Sequence, residues 1–287
     1  MSGPFRHLLL ATEHTEHDRG AEAVAFALAA RCRLPLAAVL PVAGNPELEM
    51  AAPQLAAEID AGAARRREGL ESAARASGVE LAVQVRHGAE LAEEIVAEAR
   101  ERGTDLLVIR RRGKRGLLAN LLVGEMVSRV LAAAPCSVLV VPRDAAMWQR
   151  AVMVGIDPQQ RDASLPAAAA AVARECGAAL HFVCVAAREG ERAAAGQALA
   201  QAVADSGLGA GAPPPAVHTE VVVGAAPPTL LAAAAARGAD LLVVGRFARG
   251  AAHAGARTRL GAVAREVTGL ATCPVLVHVP SAAETPR

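Results

Sequence analysis

The chain repeats one long pattern. Asp105-Leu-Leu-Val-Ile leads through a loop rich in Gly and Arg to Cys136-Ser-Val-Leu-Val-Val-Pro142, and Asp240-Leu-Leu-Val-Val leads through a similar loop to Cys273-Pro-Val-Leu-Val-His-Val-Pro280. A period of about 140 residues is too long for a solenoid repeat and has the size of a whole globular domain. The repeat therefore predicts two tandem domains, which we place at residues 1–144 and 150–282.

Composition excludes several kinds of partner. The 287 residues carry a net charge of +1 and 53% of them are apolar, so each half can bury a core and neither has the positive charge of a nucleic-acid binder. No apolar run approaches the roughly 18 residues of a membrane span, and no secretory signal pattern is present, so we expect a cytoplasmic protein. The five cysteines include no Cys-x-x-Cys, which favours reduced, buried thiols over a redox or metal role.

Apolar runs alternate with helical patterns in both halves. The runs that predict strands are Phe5–Ala11, Leu36–Val42, Glu80–Val85, Asp105–Ile109 and Ser137–Val141, then Ala151–Ile156, Ala179–Val185, His218–Val223, Asp240–Val244 and Pro274–Val279. Helical spacing marks Ala21–Arg31, Pro53–Ala76, Leu91–Ala99, the segment that begins at Glu125, Ala167–Arg174 and Pro228–Arg237. This order predicts an α/β fold in which each domain has a Rossmann-like, five-stranded parallel sheet with helices on both faces.

Ligands of such sheets bind at the carboxyl ends of the strands, where the strand order reverses. The loop after the fourth strand therefore bears directly on ligand binding. In the first half it reads Arg110-Arg-Arg-Gly113-Lys-Arg-Gly116, followed by seven residues and then by Gly124-Glu125 at the start of a helix.

These motifs resemble the universal stress protein (UspA-like) family across almost the whole chain. Its domains have a strand ending near Asp, Val-x-x-Gly before a helix, Gly-x-x-Gly and then Gly-Ser/Thr at a helix start, and a final Cys-Pro-Val-Leu-Val-Val strand. The matching segments here are Val85-Arg-His-Gly88, Val221-Val-Val-Gly224, Gly155-Ile-Asp157 and the two final strands.

The resemblance implies two adenine nucleotide alpha hydrolase-like domains in a stress-response protein. Family members that bind ATP use the glycines for close approach to phosphate and the helix start for amide N–H groups and a hydroxyl. The family's final strands also pair between domains. This implies pairing of the two domains within one chain, with a homodimer as an additional assembly.

The first copy departs from the family pattern where phosphate would bind. Arg110 replaces the first motif glycine, Glu125 replaces Ser/Thr, and Glu13 stands at the position of the family's Asp. We interpret this as a degenerate site, in which the basic loop pairs with Glu13 and with Glu125, a carboxylate that substitutes for phosphate at the helix start. The alternative is a solvated basic loop. The residues of the degenerate site are Glu13, Arg110, Gly113, Gly116, Gly124 and Glu125.

The second copy keeps more of the site. Asp157 follows the first strand and Gly245 keeps the first motif glycine, but Ala248 replaces the second glycine, and the loop is about three residues longer than in the family. Ala262 replaces the Ser/Thr, and the loss of one hydroxyl costs about 1 to 3 kcal/mol of binding free energy. The residues predicted to contact a nucleotide are Asp157, Val185, Gly245, Arg246, Gly250, Gly261 and Ala262.

Three functions are compatible with these motifs. The first hypothesis is a non-catalytic regulatory protein that requires no cofactor, with ATP binding lost in the first copy and weak or lost in the second. The second is an ATP-binding, slowly hydrolysing switch that acts through the second copy, and the third is an unrelated small-molecule enzyme. The segment His14-Thr-Glu-His17-Asp18 is interpreted as a solvated loop rather than a metal site, since it has no suitably spaced partner elsewhere. Protein partners cannot be named from the sequence.

Overall fold

The computed structural model describes residues 4–44, 50–111, 124–157, 159, 163–207, 216–246 and 260–280. The chain clusters into two compact units, with the main division between Met147 and Trp148. The described residues before and after this point are called domain one and domain two below.

Domain one is a parallel α/β sheet with the predicted alternation. Its strands are β1 (Leu8–Ala11), β2 (Leu36–Ala43), β3 (Leu81–Gly88), β4 (Leu106–Arg110) and β5 (Ser137–Val141). Its helices are α1 (Arg19–Cys32), α2 (Pro53–Ala76), α3 (Leu91–Glu101) and α4 (Glu125–Ala133). The strand order is β3-β2-β1-β4-β5, so the order reverses between β1 and β4.

Domain two has the same order of elements. Its strands are β6 (Ala151–Ile156), β7 (Ala179–Ala186), β8 (Val217–Val223), β9 (Leu241–Gly245) and β10 (Val275–His278). Its helices are α5 (Ser164–Cys176), α6 (Arg192–Asp205), α7 (Ala226–Ala236) and α8 (Ala262–Leu270). The strands follow the order β8-β7-β6-β9-β10, and the reversal lies between β6 and β9.

The sheet interiors explain why the central strands read as continuous apolar runs. Every residue of β1, β4 and β5 is buried, because helices cover both faces of these strands. The helices α3 and α4 pack on one another in domain one, as do α5 and α6, and α7 and α8, in domain two. The predicted fold class is therefore confirmed.

One aspartate fixes the start of the first strand in each domain. Asp105 accepts hydrogen bonds from the backbone N–H groups of Arg6 and His7, at 2.6 and 3.1 Å. Asp240 accepts three, from Gln149, Arg150 and Ala151, each at 2.9 Å. Burial alone would raise the pKa of Asp240, but these N–H groups outweigh it and lower the pKa. The repeated Asp-Leu-Leu motif is thus structural and lies at the end of the sheet opposite to the predicted site.

The sequence patterns missed α6. Half of its 14 residues are alanine and two are glutamine, so apolar and polar positions do not alternate with a clear helical period. This helix turns out to form part of the candidate site.

Candidate functional site

A cavity of about 1240 Å³ lies in domain two at the carboxyl ends of β6, β7 and β9. This is the point of strand-order reversal where the fold predicts a ligand. Strand ends, the first turns of α5, α7 and α8, and one face of α6 form its walls. The cavity is somewhat larger than the roughly 300–1,000 Å³ typical of small-molecule sites.

Five of the predicted contact residues lie together in this cavity. They are Asp157 at the end of β6, Val185 in β7, Gly245 at the end of β9, and Gly261 and Ala262 at the start of α8. Arg246 follows Gly245 directly and is buried, but it is not one of the lining residues. Gly250 lies outside the described residues. The geometry thus places most of the predicted site in one space, and nucleotide contact by these residues stays a prediction.

The start of α8 faces the cavity with backbone donors. Gly261 is the N-cap residue and is extended, with φ −63° and ψ 150°, and Ala262 and Val263 of the first turn also line the cavity. The first N–H groups of a helix have no partner within the helix, and they favour an anion. Asp157 lies across the strand ends, where its Oδ1 accepts a hydrogen bond from the backbone N–H of Gln159 at 3.0 Å.

The helix α6 supplies a wall that the sequence patterns did not reveal. Ala194, Gln197, Ala198, Gln201 and Asp205 are three or four residues apart and therefore share one face, and all of them line the cavity. The side-chain amide of Gln201 donates to Oδ1 of Asp205 at 2.8 Å. The wall thus combines small apolar residues with amide and carboxylate groups.

In domain one an arginine occupies the corresponding strand end. Arg110 is the last residue of β4, and its side chain is only 9% exposed. Its guanidinium donates to Oε2 of Glu13 at 2.8 Å, to Oδ2 of Asp18 at 3.2 Å and to Oγ1 of Thr15 at 3.1 Å. The expected pairing of Arg110 with Glu13 is therefore confirmed.

A second polar group extends this network. The hydroxyl of Thr12 donates to Oε1 of Glu22 at 2.7 Å, and Nδ1 of His14 lies 3.1 Å from the same oxygen. The ring of His14 rests against α2 at Gly69, where an added Cβ would lie 2.7 Å from Nε2 of the imidazole. His14 thus fills the space between the end of β1 and α2.

The two domains can be compared position by position. Leu8 pairs with Leu36 and Leu106, as Val152 pairs with Leu180 and Leu241, so the strands share one register. Helices α1 and α5 align when Cys32 is matched with Cys176, and α2 and α6 align when Ser77 is matched with Ser206. Five positions of domain one thereby correspond to five of domain two: Glu13 to Asp157, Thr12 to Ile156, Glu22 to Pro166, Arg110 to Gly245, and Gly69 to Ala198.

Each of these five domain-two residues lines the cavity, and each domain-one counterpart belongs to the polar network or contacts it. The contrast at Arg110 and Gly245 is the largest, because a guanidinium stands where domain two has no side chain. At these five positions, domain one therefore has side chains of its own where the described part of domain two leaves space open.

Glu125 has a different environment from the expected one. Its side chain is 82% exposed and pairs at 3.0 Å with Arg129, one turn further along α4. The ion pairs of Arg110 are with Glu13 and Asp18, so the expected pairing of Arg110 with Glu125 is wrong. Glu125 thus has its cation on the surface of its own helix, four residues further along the chain. Gly124 precedes α4, while Gly113 and Gly116 lie outside the described residues.

The interpretation of the segment from His14 to Asp18 as a solvated loop holds for Glu16 and His17, whose side chains are 59% and 47% exposed, but it is wrong for Asp18. Asp18 is 1% exposed, and its Oδ2 accepts from both the N–H and the hydroxyl of Thr15, at 2.9 and 2.6 Å. Polar residues in a loop gave no sign of this burial. The described part of the chain contains no group of three or more His, Cys, Asp or Glu placed to hold a metal ion.

Comparisons with known proteins agree with this architecture. The universal stress protein family model matches residues 4–142 and 149–280. Comparison of the sequence with curated proteins finds no match. Among the described residues, no helix is both long enough and apolar enough to cross a membrane.

Solved structures with the same fold cover nearly the whole chain. A universal stress protein from Archaeoglobus fulgidus is 17% identical, with 95% of this chain and 97% of that chain covered and a TM-score of 0.72. A functionally unknown protein from Pseudomonas aeruginosa is 19% identical, with 96% and 93% covered and a TM-score of 0.64. The cytoplasmic domain of a prokaryotic cation chloride cotransporter is 13% identical, with 96% of each chain covered and a TM-score of 0.54. At these identities the likeness concerns the fold, which alone does not determine function.

Proposed function

Because this chain belongs to the universal stress protein family, we propose that it is a non-catalytic stress-response protein in which domain two binds one small-molecule ligand and domain one binds none. The observation that supports this most is the difference between Gly245 and Arg110 at equivalent strand ends. Gly245 lines an open cavity, whereas Arg110 forms ion pairs with Glu13 and Asp18.

An adenine nucleotide or nucleoside is the ligand class that fits domain two best. The cavity volume of about 1240 Å³ is sufficient for such a molecule. The first turn of α8 supplies N–H groups for an anionic end, and Asp157 supplies an acceptor for hydroxyl or amine groups at the other side of the strand ends. Apolar side chains such as Ile156 and Val185 provide a surface for a flat ring.

The composition of the cavity wall supports binding rather than catalysis. Among the described residues that line the cavity there is no Ser, Thr, Cys, His or Lys, so no nucleophile is paired with a base. Asp157 and Glu191 are carboxylates of the cavity wall and would be the candidates for a base in hydrolysis. Release of phosphate from ATP by the purified protein, lost in Asp157→Asn, would show that the second domain is instead a slow ATPase.

Thermal unfolding with a panel of ligands tests the proposed function. ATP, ADP, AMP and adenosine are added separately, with magnesium, to the wild-type chain and to Gly245→Arg. Among the described residues, a Cβ at Gly245 would meet only Leu165 Cδ2, at 4.0 Å, so no described backbone atom opposes an arginine in the cavity. At 100 times its dissociation constant, a ligand stabilises the wild type by about 2.7 kcal/mol. We expect this shift for at least one member of the panel and its loss in Gly245→Arg. No shift with any member would contradict the proposal.

The predicted assembly and location are kept as parts of the proposal. Pairing of the two domains within the chain and a homodimer follow from the family resemblance, and the cytoplasmic location stays a prediction from the sequence patterns. Partner proteins stay unassigned.

A further inference from the structure

We propose that α6 is the recognition wall of the domain-two site, where Gln201 and Gln197 form hydrogen bonds with the uncharged polar end of a nucleoside-type ligand. This inference rests on the proposed function, because it assigns a direction and a selectivity to the ligand in that cavity. The residues of this recognition wall are Ala194, Gln197, Ala198, Gln201 and Asp205.

The side-chain amide of Gln201 forms one hydrogen bond within α6. Its Nε2 donates to Oδ1 of Asp205 at 2.8 Å, one helical turn further on. Once one N–H of the amide is used in this way, the other N–H and the Oε1 acceptor point away from Asp205. A donor next to an acceptor is the pattern that the hydrogen-bonding edge of a nucleobase, or a pair of sugar hydroxyls, can match.

The packing of α6 leaves the recognition wall accessible. Ala195 and Leu199 are buried on the adjacent face of the helix and anchor it to the domain. Gln197, Gln201 and Asp205 are exposed to the open side of the cavity. The small side chain of Ala198 lies between Gln197 and Gln201 along the helix, and that of Ala194 lies one turn before Gln197, so this face leaves width for a flat group.

The charges on the cavity wall determine which end of the ligand faces α6. Asp205 and Glu191 lie on the α6 side of the cavity, and the described lining residues include no Lys or Arg. Glu191 is already paired with Arg188 at 2.8 Å, so Asp205 carries the local negative charge. A phosphate is repelled there and is attracted instead to the first turn of α8. The uncharged end of the ligand therefore lies against α6.

Domain one does not repeat the recognition wall. The positions equivalent to Gln197, Gln201 and Asp205 are Glu68, Ser72 and Ala76. The neighbouring Gly69 contacts the ring of His14 instead of open space. The amide row is thus found beside the domain-two cavity, whereas the residues that replace it in domain one are exposed.

Calorimetric titration of adenosine, guanosine, uridine and AMP into four proteins tests the inference. The proteins are the wild type, Gln201→Met, Gln197→Met, and the control Gln84→Met on the exposed part of β3, where the same substitution is made away from the cavity. Methionine keeps the length of glutamine and removes its hydrogen bonds. We expect Gln201→Met to weaken binding of the preferred nucleoside about tenfold, with a smaller loss for Gln197→Met and none for Gln84→Met.

The outcomes separate the inference from the proposed function. Binding by the wild type with unchanged affinity in both Gln201→Met and Gln197→Met would overturn the recognition wall and leave the proposed function standing. A lack of binding to every ligand by the wild type would overturn both. An equal loss in Gln84→Met would also overturn the inference, because the effect would not depend on the cavity. Circular dichroism of each variant checks that the helical content of the chain is unchanged.

Discussion

The guanidinium of Arg110 lies between two carboxylates, 2.8 Å from Oε2 of Glu13 and 3.2 Å from Oδ2 of Asp18. All three groups are shielded from solvent, with side chains that are 9%, 20% and 1% exposed. A buried charge is stable only when it is paired, so these residues depend on one another. The arrangement closes domain one at the position where Gly245 opens domain two.

Removal of Arg110 should destabilise domain one strongly. Arg110→Ala leaves Asp18 charged and buried without its cation, and breaking such a pair costs about 3 to 5 kcal/mol. The matched control is Arg143→Ala, since Arg143 pairs with Glu16 at 3.0 Å on the surface, where a pair contributes about 1 kcal/mol or less. Urea denaturation measures both. Equal losses in the two variants would contradict the account of the buried pair.

A double variant identifies the origin of that loss. Arg110→Met with Asp18→Asn removes the guanidinium and the fully buried carboxylate, and it keeps most of the volume and the acceptor for Thr15. Glu13 keeps its charge, but its side chain is 20% exposed and so has access to solvent. Because neutral groups of similar size replace the pair, a large part of the stability should return. A double variant as unstable as Arg110→Ala would indicate lost packing instead of an unpaired charge.

Asp240 should make the stability of domain two depend on acid pH. Its pKa is lowered in the folded state, because backbone N–H groups outweigh the effect of burial. Its contribution is therefore fully present above the unfolded pKa of about 3.9 and is lost as pH falls through the lower folded pKa. Asp240→Asn should reduce the free energy of unfolding by about 1 to 2 kcal/mol at pH 7.

Measurement of this difference between pH 7 and pH 2 provides the check. The difference between the wild type and Asp240→Asn should shrink towards the acid end, as Asp240 takes up its proton. A difference that stays constant over this range would show that the carboxylate charge is not responsible.

His181 should titrate below the usual range. Its ring stacks on His218 of the neighbouring strand, with centroids 4.6 Å apart and planes inclined by 21°. Burial lowers the pKa of His181 most, and the charges of His218 and Arg237 lower it further. Because the folded pKa is depressed, domain two loses stability as pH falls below the ordinary value of 6.5.

An NMR titration of the imidazole protons tests this, and His218→Gln serves as the comparison. Loss of the neighbouring ring charge should raise the pKa of His181, although burial keeps it below 6.5. A wild-type His181 that titrates at or above 6.5 would contradict the proposed environment.

Most of the fold can be predicted from apolar periodicity and the internal repeat. The helix Pro53–Ala76 was predicted with both ends, since a proline marks its start and Ser77-Gly78 follows its last residue. The strand Ala151–Ile156 was likewise predicted with both ends. The helix Arg192–Asp205 could not be recognised by period, because alanine occurs on all its faces. Comparison with the corresponding helix of the first copy would have found it.

The candidate site was predictable where a motif places a residue at a strand end. Asp157 and Gly245 follow from the repeat, and the pairing of Arg110 with Glu13 follows from opposite charges at neighbouring strand ends. Asp18 and His14 were misread, since burial of a polar loop depends on long-range packing with Arg110 and α2. Thr12, which stands where the second copy has Ile156, was the available signal that polar groups fill domain one.

The central claim is that one domain is open to a ligand and the other is closed. Calorimetric titration of the best ligand from the nucleotide and nucleoside panel into the wild type, Gly245→Arg and Arg143→Ala tests it most directly. The account predicts one molecule bound per chain in the wild type and in the control Arg143→Ala, and none in Gly245→Arg. Two molecules per chain, or binding that survives in Gly245→Arg, would contradict it.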